Sequence, residues 1–257
     1  MGDNHMKKRM IAFLYGLVIF HLFWLIAALI MKQKALPSPL EVYPVLKNVF
    51  AHGIETHLFV SVIRIVEGLL ISLLLGLPIG LWMSGSPKIN KLLSPLLYLT
   101  YPIPKLALLP IVFLLLGIGE TAKITMIVLI IIFQIIISTR DAAINIPHEN
   151  YHVLSSLGAN KWKKLRWITL PAIIPDLLTA IRISTGTAIS VLFFTETYGT
   201  NKGMGFYIVD SWMRISYVEM YAGILVLSFL GFLLFLLIDT LEEQCCKWKS
   251  KSGDGKE

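Results

Sequence analysis

Charge is scarce in this sequence. Charged residues make up 15% of the 257-residue chain, where soluble proteins carry roughly a quarter, and that deficit excludes an ordinary soluble domain. Cysteine is scarcer still. The two present, Cys245 and Cys246, are adjacent near the C-terminus, which excludes a disulfide framework and reads as reduced thiols facing the cytosol. No Gly-x-x-x-x-Gly-Lys-Ser/Thr phosphate loop occurs, so the chain is not an ATP-hydrolysing subunit. The net charge is +7, yet the basic residues are not interleaved with aromatics and form no basic helix, which argues against nucleic acid. No internal repeat of the kind that marks many secondary transporters stands out. Low complexity is confined to the polar tail after Trp248, which is predicted to be disordered.

What is abundant is apolar. Hydrophobic residues reach 56% and mean hydropathy is +0.72. A helix needs about 20 apolar residues to cross the hydrocarbon core, and six segments qualify: 10–31, 57–83, 92–116, 120–138, 172–195 and 218–239. The expected fold is all-α and polytopic, a single transmembrane domain over 10–242 with a short N-terminus (1–9) and a polar tail (243–257). Lys7, Lys8 and Arg9 precede the first run as they would in a signal peptide, but the run is longer than the 7–15 residues of such a core, so it reads as a retained helix. The third segment holds Pro95, Pro102, Pro104 and Pro110. Proline removes backbone donors, which membrane helices tolerate where protein or a cavity supplies partners, so this segment is a candidate for lining a pathway. Loop lysines and arginines concentrate on the side of the N-terminus, which places both termini in the cytoplasm by the positive-inside rule.

Two outer segments are short. Residues 36–55 open with Leu-Pro-Ser-Pro before an amphipathic stretch, and 196–217 hold Gly199, Gly203 and Gly205, which permit tight turns. The connection over 139–171 is predicted to lie in the cytoplasm. Leu154, Leu157, Leu165 and Ile168 recur at helical spacing on either side of Gly158, which predicts two short helices joined at a glycine bend. Such a helix can dock in a groove on another protein or lie on anionic lipid, and composition does not separate these.

That loop resembles the "EAA loop" of binding-protein-dependent ABC importer permeases, in which Glu-Ala-Ala is followed by three residues, Gly, nine residues and Ile-x-Leu-Pro. Here Gly158 is followed by Ile168-Thr169-Leu170-Pro171. Further segments are similar to the nitrate/sulfonate/taurine-type branch: Ser61-Val62-Ile63-Arg64, Gly117-Ile118-Gly119-Glu120, Leu178-Thr179-Ala180-Ile181-Arg182, Thr195-Glu196-Thr197-Tyr198-Gly199 and Tyr221-Ala222-Gly223. The resemblance extends from Leu36 to Glu242. It implies a type I ABC importer permease fold, a second permease copy, two ATPase subunits that bind the ATP and Mg while this chain holds no cofactor, and an extracytoplasmic substrate-binding protein. It also implies coupling to the ATPase through His152, Leu154, Leu157, Gly158, Ala159, Trp162, Leu165, Leu170 and Pro171. One departure stands out: His152 falls where the family's acidic residue stands, so a fixed negative charge is missing from that contact.

A rival motif overlaps the loop. His148-Glu149-Asn150-Tyr151-His152 satisfies His-Glu-x-x-His, which on a helix can hold zinc with the glutamate as general base. Against it, Pro147 confines the pair to a helix's first turn, and the nearest downstream carboxylate, Asp176, stands beside Pro175, so no metal site is expected. Charges at membrane depth usually face a bundle interior or a water path. Arg64, Glu67, Arg182 and Glu196 are therefore candidate translocation-path residues, joined by Pro102 of the proline-rich third segment, with Arg64 and Glu67 close enough on one helix to pair. Excess basic residues there would suit a small anionic solute. His21 and Gln134, lone polar residues in apolar helices, are expected to hydrogen-bond a neighbouring helix.

Overall fold

The protein's structure, a computed structural model, describes residues 2–100 and 102–246, with side chains from Tyr15 onward. The tail beyond Cys246, Tyr101 and the side chains of the basic cluster at 7–9 lie outside the described residues. Among the described residues all regular structure is helical.

Four helical runs are long and apolar enough to cross a membrane. They are α3 (Ile54–Gly85), α6 (Glu120–Ile144), the run Lys161–Glu196 and α11 (Tyr217–Cys245). The first helix, α1, covers Gly2–Met31, and its apolar described part is Tyr15–Met31. The expected third span is not one helix. It forms α4 (Pro87–Thr100), then a 3₁₀ turn (Lys105–Leu108) running into α5 (Leu109–Leu116), with an 86° bend between them. Pro102 and Pro104 stand in the break. Pro104 disfavours a helical conformation at Ile103, and both prolines lack the N–H that would continue the ladder.

At the centre is α6, packed along α3 on one side and against the Lys161–Glu196 run on the other. The approach to α3 is close because α3 turns a stripe of glycines towards it. A methyl group at Gly68 would come within 2.5 Å of Ile127 Cγ2, and one at Gly80 within 2.7 Å of the Ile136 carbonyl oxygen. Ile65, Met126, Ile127, Ile131, Ala188 and Leu192 fill the resulting core. At the end of the bundle that holds the N-terminus of α3, α2 (Pro39–Ala51) packs on α11. Its start is fixed by a capping box: the Ser38 backbone N–H donates to Glu41 Oε2 at 2.7 Å. Trp24 donates its indole N–H to the Pro37 carbonyl and stacks on Tyr221, which ties α1 to this layer. His21, by contrast, is bonded to its own helix through Leu17 O at 2.7 Å rather than to a neighbour.

The loop at 139–171 is shorter than expected, since α6 continues to Ile144. It carries α7 (His148–Ser156) and α8 (Lys161–Lys164). The second short helix is not separate. It leads through a π-helical turn (Leu165–Thr169) straight into α9 (Leu170–Glu196). Pro171 cannot donate the backbone bond that an α-helix would send to Trp167, and a one-turn widening just upstream absorbs that loss. The last short helix, α10 (Met204–Met213), fills the segment before α11.

Candidate functional site: a sealed ionic end and an exposed apolar end

One end of the bundle is organised around Arg64. Its Nε and Nη2 donate to the two carboxylate oxygens of Glu120, both at 2.5 Å, in a bidentate pair. Its Nη1 donates to Glu196 Oε1 at 2.7 Å and to the Lys202 carbonyl at 3.1 Å. The Arg64 side chain is 2% exposed, Glu196 0% and Glu120 60%, so one carboxylate is interred and the other reaches the surface. Glu196 is further held by the Ser61 hydroxyl and by the Gly205 N–H at 2.8 Å, while Ser61 Oγ accepts the Met204 N–H at 2.8 Å. This satisfaction matters, because a buried charge without partners costs several kcal/mol. Gly203 is required twice over: its φ is +118°, and a methyl group there would stand 2.3 Å from the Glu196 carboxyl carbon. The network therefore staples the loop before α10 to α3, α6 and α9. Lys123, also buried, interacts with Arg64, Glu120 and Glu196 electrostatically. Within α10, burial pushes the Tyr207 phenol above its ordinary range, with Glu219 acting the same way, so it stays protonated.

The opposite end carries α7 and α8. Gly158 has φ +71°; its N–H donates to Ser155 O and the Ala159 N–H to Leu154 O, both at 3.0 Å. That pair of bonds is a Schellman motif, in which the residue after the helix adopts the left-handed conformation that glycine enters without penalty. Asn160 then caps α8 by accepting the Lys163 N–H at 2.9 Å. The bend is anchored from below: Tyr151 and Thr169 share a hydrogen bond of 3.0 Å, and Tyr151, Ile168 and Leu170 pack on Ala142, Ile146 and Ile173. Above that anchor, apolar groups stand in the open. Leu157 is 78% exposed and Trp162 67%, with Val153 and Trp167 similar, among Lys161, Lys163 and Arg166. Of the residues expected to couple, His152, Leu157, Gly158 and Trp162 are exposed, while Leu154, Ala159, Leu165, Leu170 and Pro171 are half-buried supports.

The expected path residues are not brought together. Arg64 and Glu196 meet, but in the sealed network. Glu67 does not pair with Arg64: the arginine turns inward towards Glu120 and Glu196, whereas Glu67 stays exposed on α3. Arg182 pairs with Asp239, and with Glu242 at 2.8 Å, on α11. Pro102 is exposed in the α4–α5 break. Glu120, the bidentate partner of Arg64, was missed as a path candidate. Its signal is an acidic residue opening a helix after Gly-Ile-Gly, where the helix dipole favours a carboxylate. Along α7, His148, Glu149 and His152 are all exposed. Among the described residues no group of three His, Cys, Asp or Glu side chains is placed to hold a metal.

Residues 68–244 match the family described as "binding-protein-dependent transport system inner membrane component". The chain belongs to this family. It is a multi-pass inner-membrane permease of an ABC importer, a transport subunit rather than an enzyme, and it works with ATPase and substrate-binding components. It is 30% identical to the taurine transport system permease protein TauC of Escherichia coli (strain K12) over 238 residues, 90% of this chain and 86% of that one. It is 28% identical to the putative aliphatic sulfonates transport permease protein SsuC of Bacillus subtilis (strain 168), over 86% of this chain and 80% of that one. Among solved structures, a permease chain from inward-facing conformations of the MetNI methionine ABC transporter superposes with a TM-score of 0.62 at 21% identity, covering 79% of this chain and 98% of that one. That likeness places the fold.

Proposed function

We propose that this permease forms, with a second copy of itself, the passage by which a small anionic solute of the sulfonate or nitrate kind enters the cell by alternating access. Six crossings follow if α1 and the bent α4–α5 pair each span once. Both termini and the α7–α8 end then face the cytoplasm, with the Arg64 network outside. Two ATPase subunits bind the ATP and Mg and dock on the α7–α8 bend, and an extracytoplasmic binding protein delivers the solute. Similarity to the taurine and aliphatic-sulfonate permeases supports the solute class.

The observation that carries the docking reading is the exposure of Leu157 and Trp162 on a bend that is itself rigidly capped and anchored. Exposed large apolar groups rimmed by charge mark interaction sites. A carboxylate is not needed at His152 for this mode of contact, since the apolar anchors are in place without it. The test is co-purification with the cognate ATPase. Leu157→Asp with Trp162→Asp is expected to abolish co-purification and solute-stimulated ATP hydrolysis while the permease stays folded in the membrane. Normal assembly and normal stimulation in that variant would remove the docking role. Uptake of labelled taurine, ethanesulfonate and nitrate by the complete transporter tests the solute class, and transport of uncharged solutes alone would overturn it.

A further inference from the structure

The turn that feeds α9 carries charge that nothing in the chain answers. Lys161, Lys163, Lys164 and Arg166 follow one another closely, and no acidic residue occurs between Glu149 and Asp176. None of the four makes an ion pair among the described residues, and neither Trp162 nor Trp167 has an acceptor there for its indole N–H. Trp167 is 68% exposed, although it belongs to the π-helical turn that runs straight into α9. Lys163 stands exposed about one turn before it, with Arg166 exposed alongside and Lys164 half-buried. Position sharpens the pattern. α9 has 27 residues, about 40 Å at 1.5 Å per residue, which matches a bilayer with its headgroups, about 40–45 Å. When α9 crosses, the turn over Lys163–Trp167 comes to rest at one headgroup surface. Tryptophan favours that level, and long basic side chains there lay their stems on apolar surface while the charged ends reach the headgroups.

We infer that this turn is a binding surface for anionic membrane lipid, with Lys163, Lys164 and Arg166 paired to lipid phosphates and Trp167 seated at the level of the headgroups. The surface is additional to the docking face of the permease reading, which supplies only the side of the membrane. The bend then serves two partners: Leu157 and Trp162 stand at its capped tip, and the basic turn lies nearer the bilayer. An acidic groove on the ATPase is the rival occupant for the same charges. Depth decides against it. Ile168 and Leu170, on either side of Thr169, already pack on Ala142, Ile146 and Ile173 at the ends of α6 and α9. A soluble partner that reached Trp167 would have to enter the headgroup layer, whereas lipid is there already. Unpaired lysines and arginines beside a spanning helix, with no acid between them, are the pattern that an anionic leaflet attracts.

The test uses the complete transporter in phosphatidylcholine nanodiscs that contain either brominated phosphatidylglycerol or brominated phosphatidylcholine as a fluorescence quencher. The contribution of Trp167 is the difference between the unaltered transporter and its Trp167→Phe variant. Half-maximal quenching of that contribution is expected at a mole fraction at least about fivefold lower for the anionic lipid, the factor that one basic residue near an anionic surface supplies. Salt at about 1 M, where the Debye length falls to about 3 Å, should erase the preference. So should Lys163→Gln, Lys164→Gln and Arg166→Gln together, while replacement of the two lysines by arginine should keep it. Equal quenching by the two lipids in the unaltered transporter would overturn the lipid surface. Absence of any Trp167 quenching in the assembled transporter, with quenching in the permease alone, would hand the face to the ATPase. Should the neutralised variant fail to assemble, the salt dependence of the unaltered transporter decides alone. Quenching needs neither a solute nor ATP hydrolysis, so it can fail or succeed apart from the docking and uptake tests.

Discussion

The two ends of this bundle handle charged and apolar groups in opposite ways. Around Arg64 the buried carboxylate and the guanidinium are answered within the chain: Glu196 has three donors and Arg64 two carboxylates. Around Gly158 the backbone is held by two turn bonds and a cap, yet Leu157 and Trp162 are left standing in the open. The first end is complete in one chain. The second is capped and anchored but leaves its large apolar groups exposed.

Substitutions can break or sharpen that contrast. The largest effect is expected from Glu196→Ala, which strands Arg64 in the interior; removing one member of a buried pair costs about 3–5 kcal/mol, and a drop in the midpoint of thermal unfolding in detergent would register it. Gly203→Ala comes next. It asks a side chain to adopt a strained φ against the Glu196 carboxylate, at a cost of about 1–3 kcal/mol, read by the same melt. Gly158→Ala should cost about 1–2 kcal/mol locally, and its signature is different: the bulk melt hardly moves while ATPase co-purification weakens. The smallest effect belongs to Glu120→Gln. Its carboxylate is 60% exposed, so the loss should be at most about 1 kcal/mol, and a loss as large as that of Glu196→Ala would show that the two halves of the network are not divided by burial as described.

Much of this was legible in the sequence. Hydropathy located the four long apolar runs, and the glycine bend in the 139–171 loop followed from leucine spacing. Interhelix partners were not legible. Arg64 and Glu67 share a helix face by spacing, yet Arg64 bonds to residues 56 and 132 positions away, a choice fixed by how α3, α6 and α9 pack. The apolar segment ends at 138, but Arg140 is buried against Asp141 and the Ser94 hydroxyl, and the helix continues to Ile144. Pro102 and Pro104 announced an irregular third span; the 86° bend depends on what α4 and α5 each pack against.

The helical run from Lys161 to Glu196 has 36 residues, about 54 Å at 1.5 Å per residue. It begins beside the Gly158 bend and finishes on the carboxylate that holds Arg64, so the glycine bend and the ionic end are two tips of one shaft. A torque applied at Trp162 reaches Glu196 along one helical run whose backbone ladder is interrupted at Pro171 and Pro175, with compliance at the widened turn over Leu165–Thr169. Stiffness in that turn sets how much of a twist at one tip is delivered to the other.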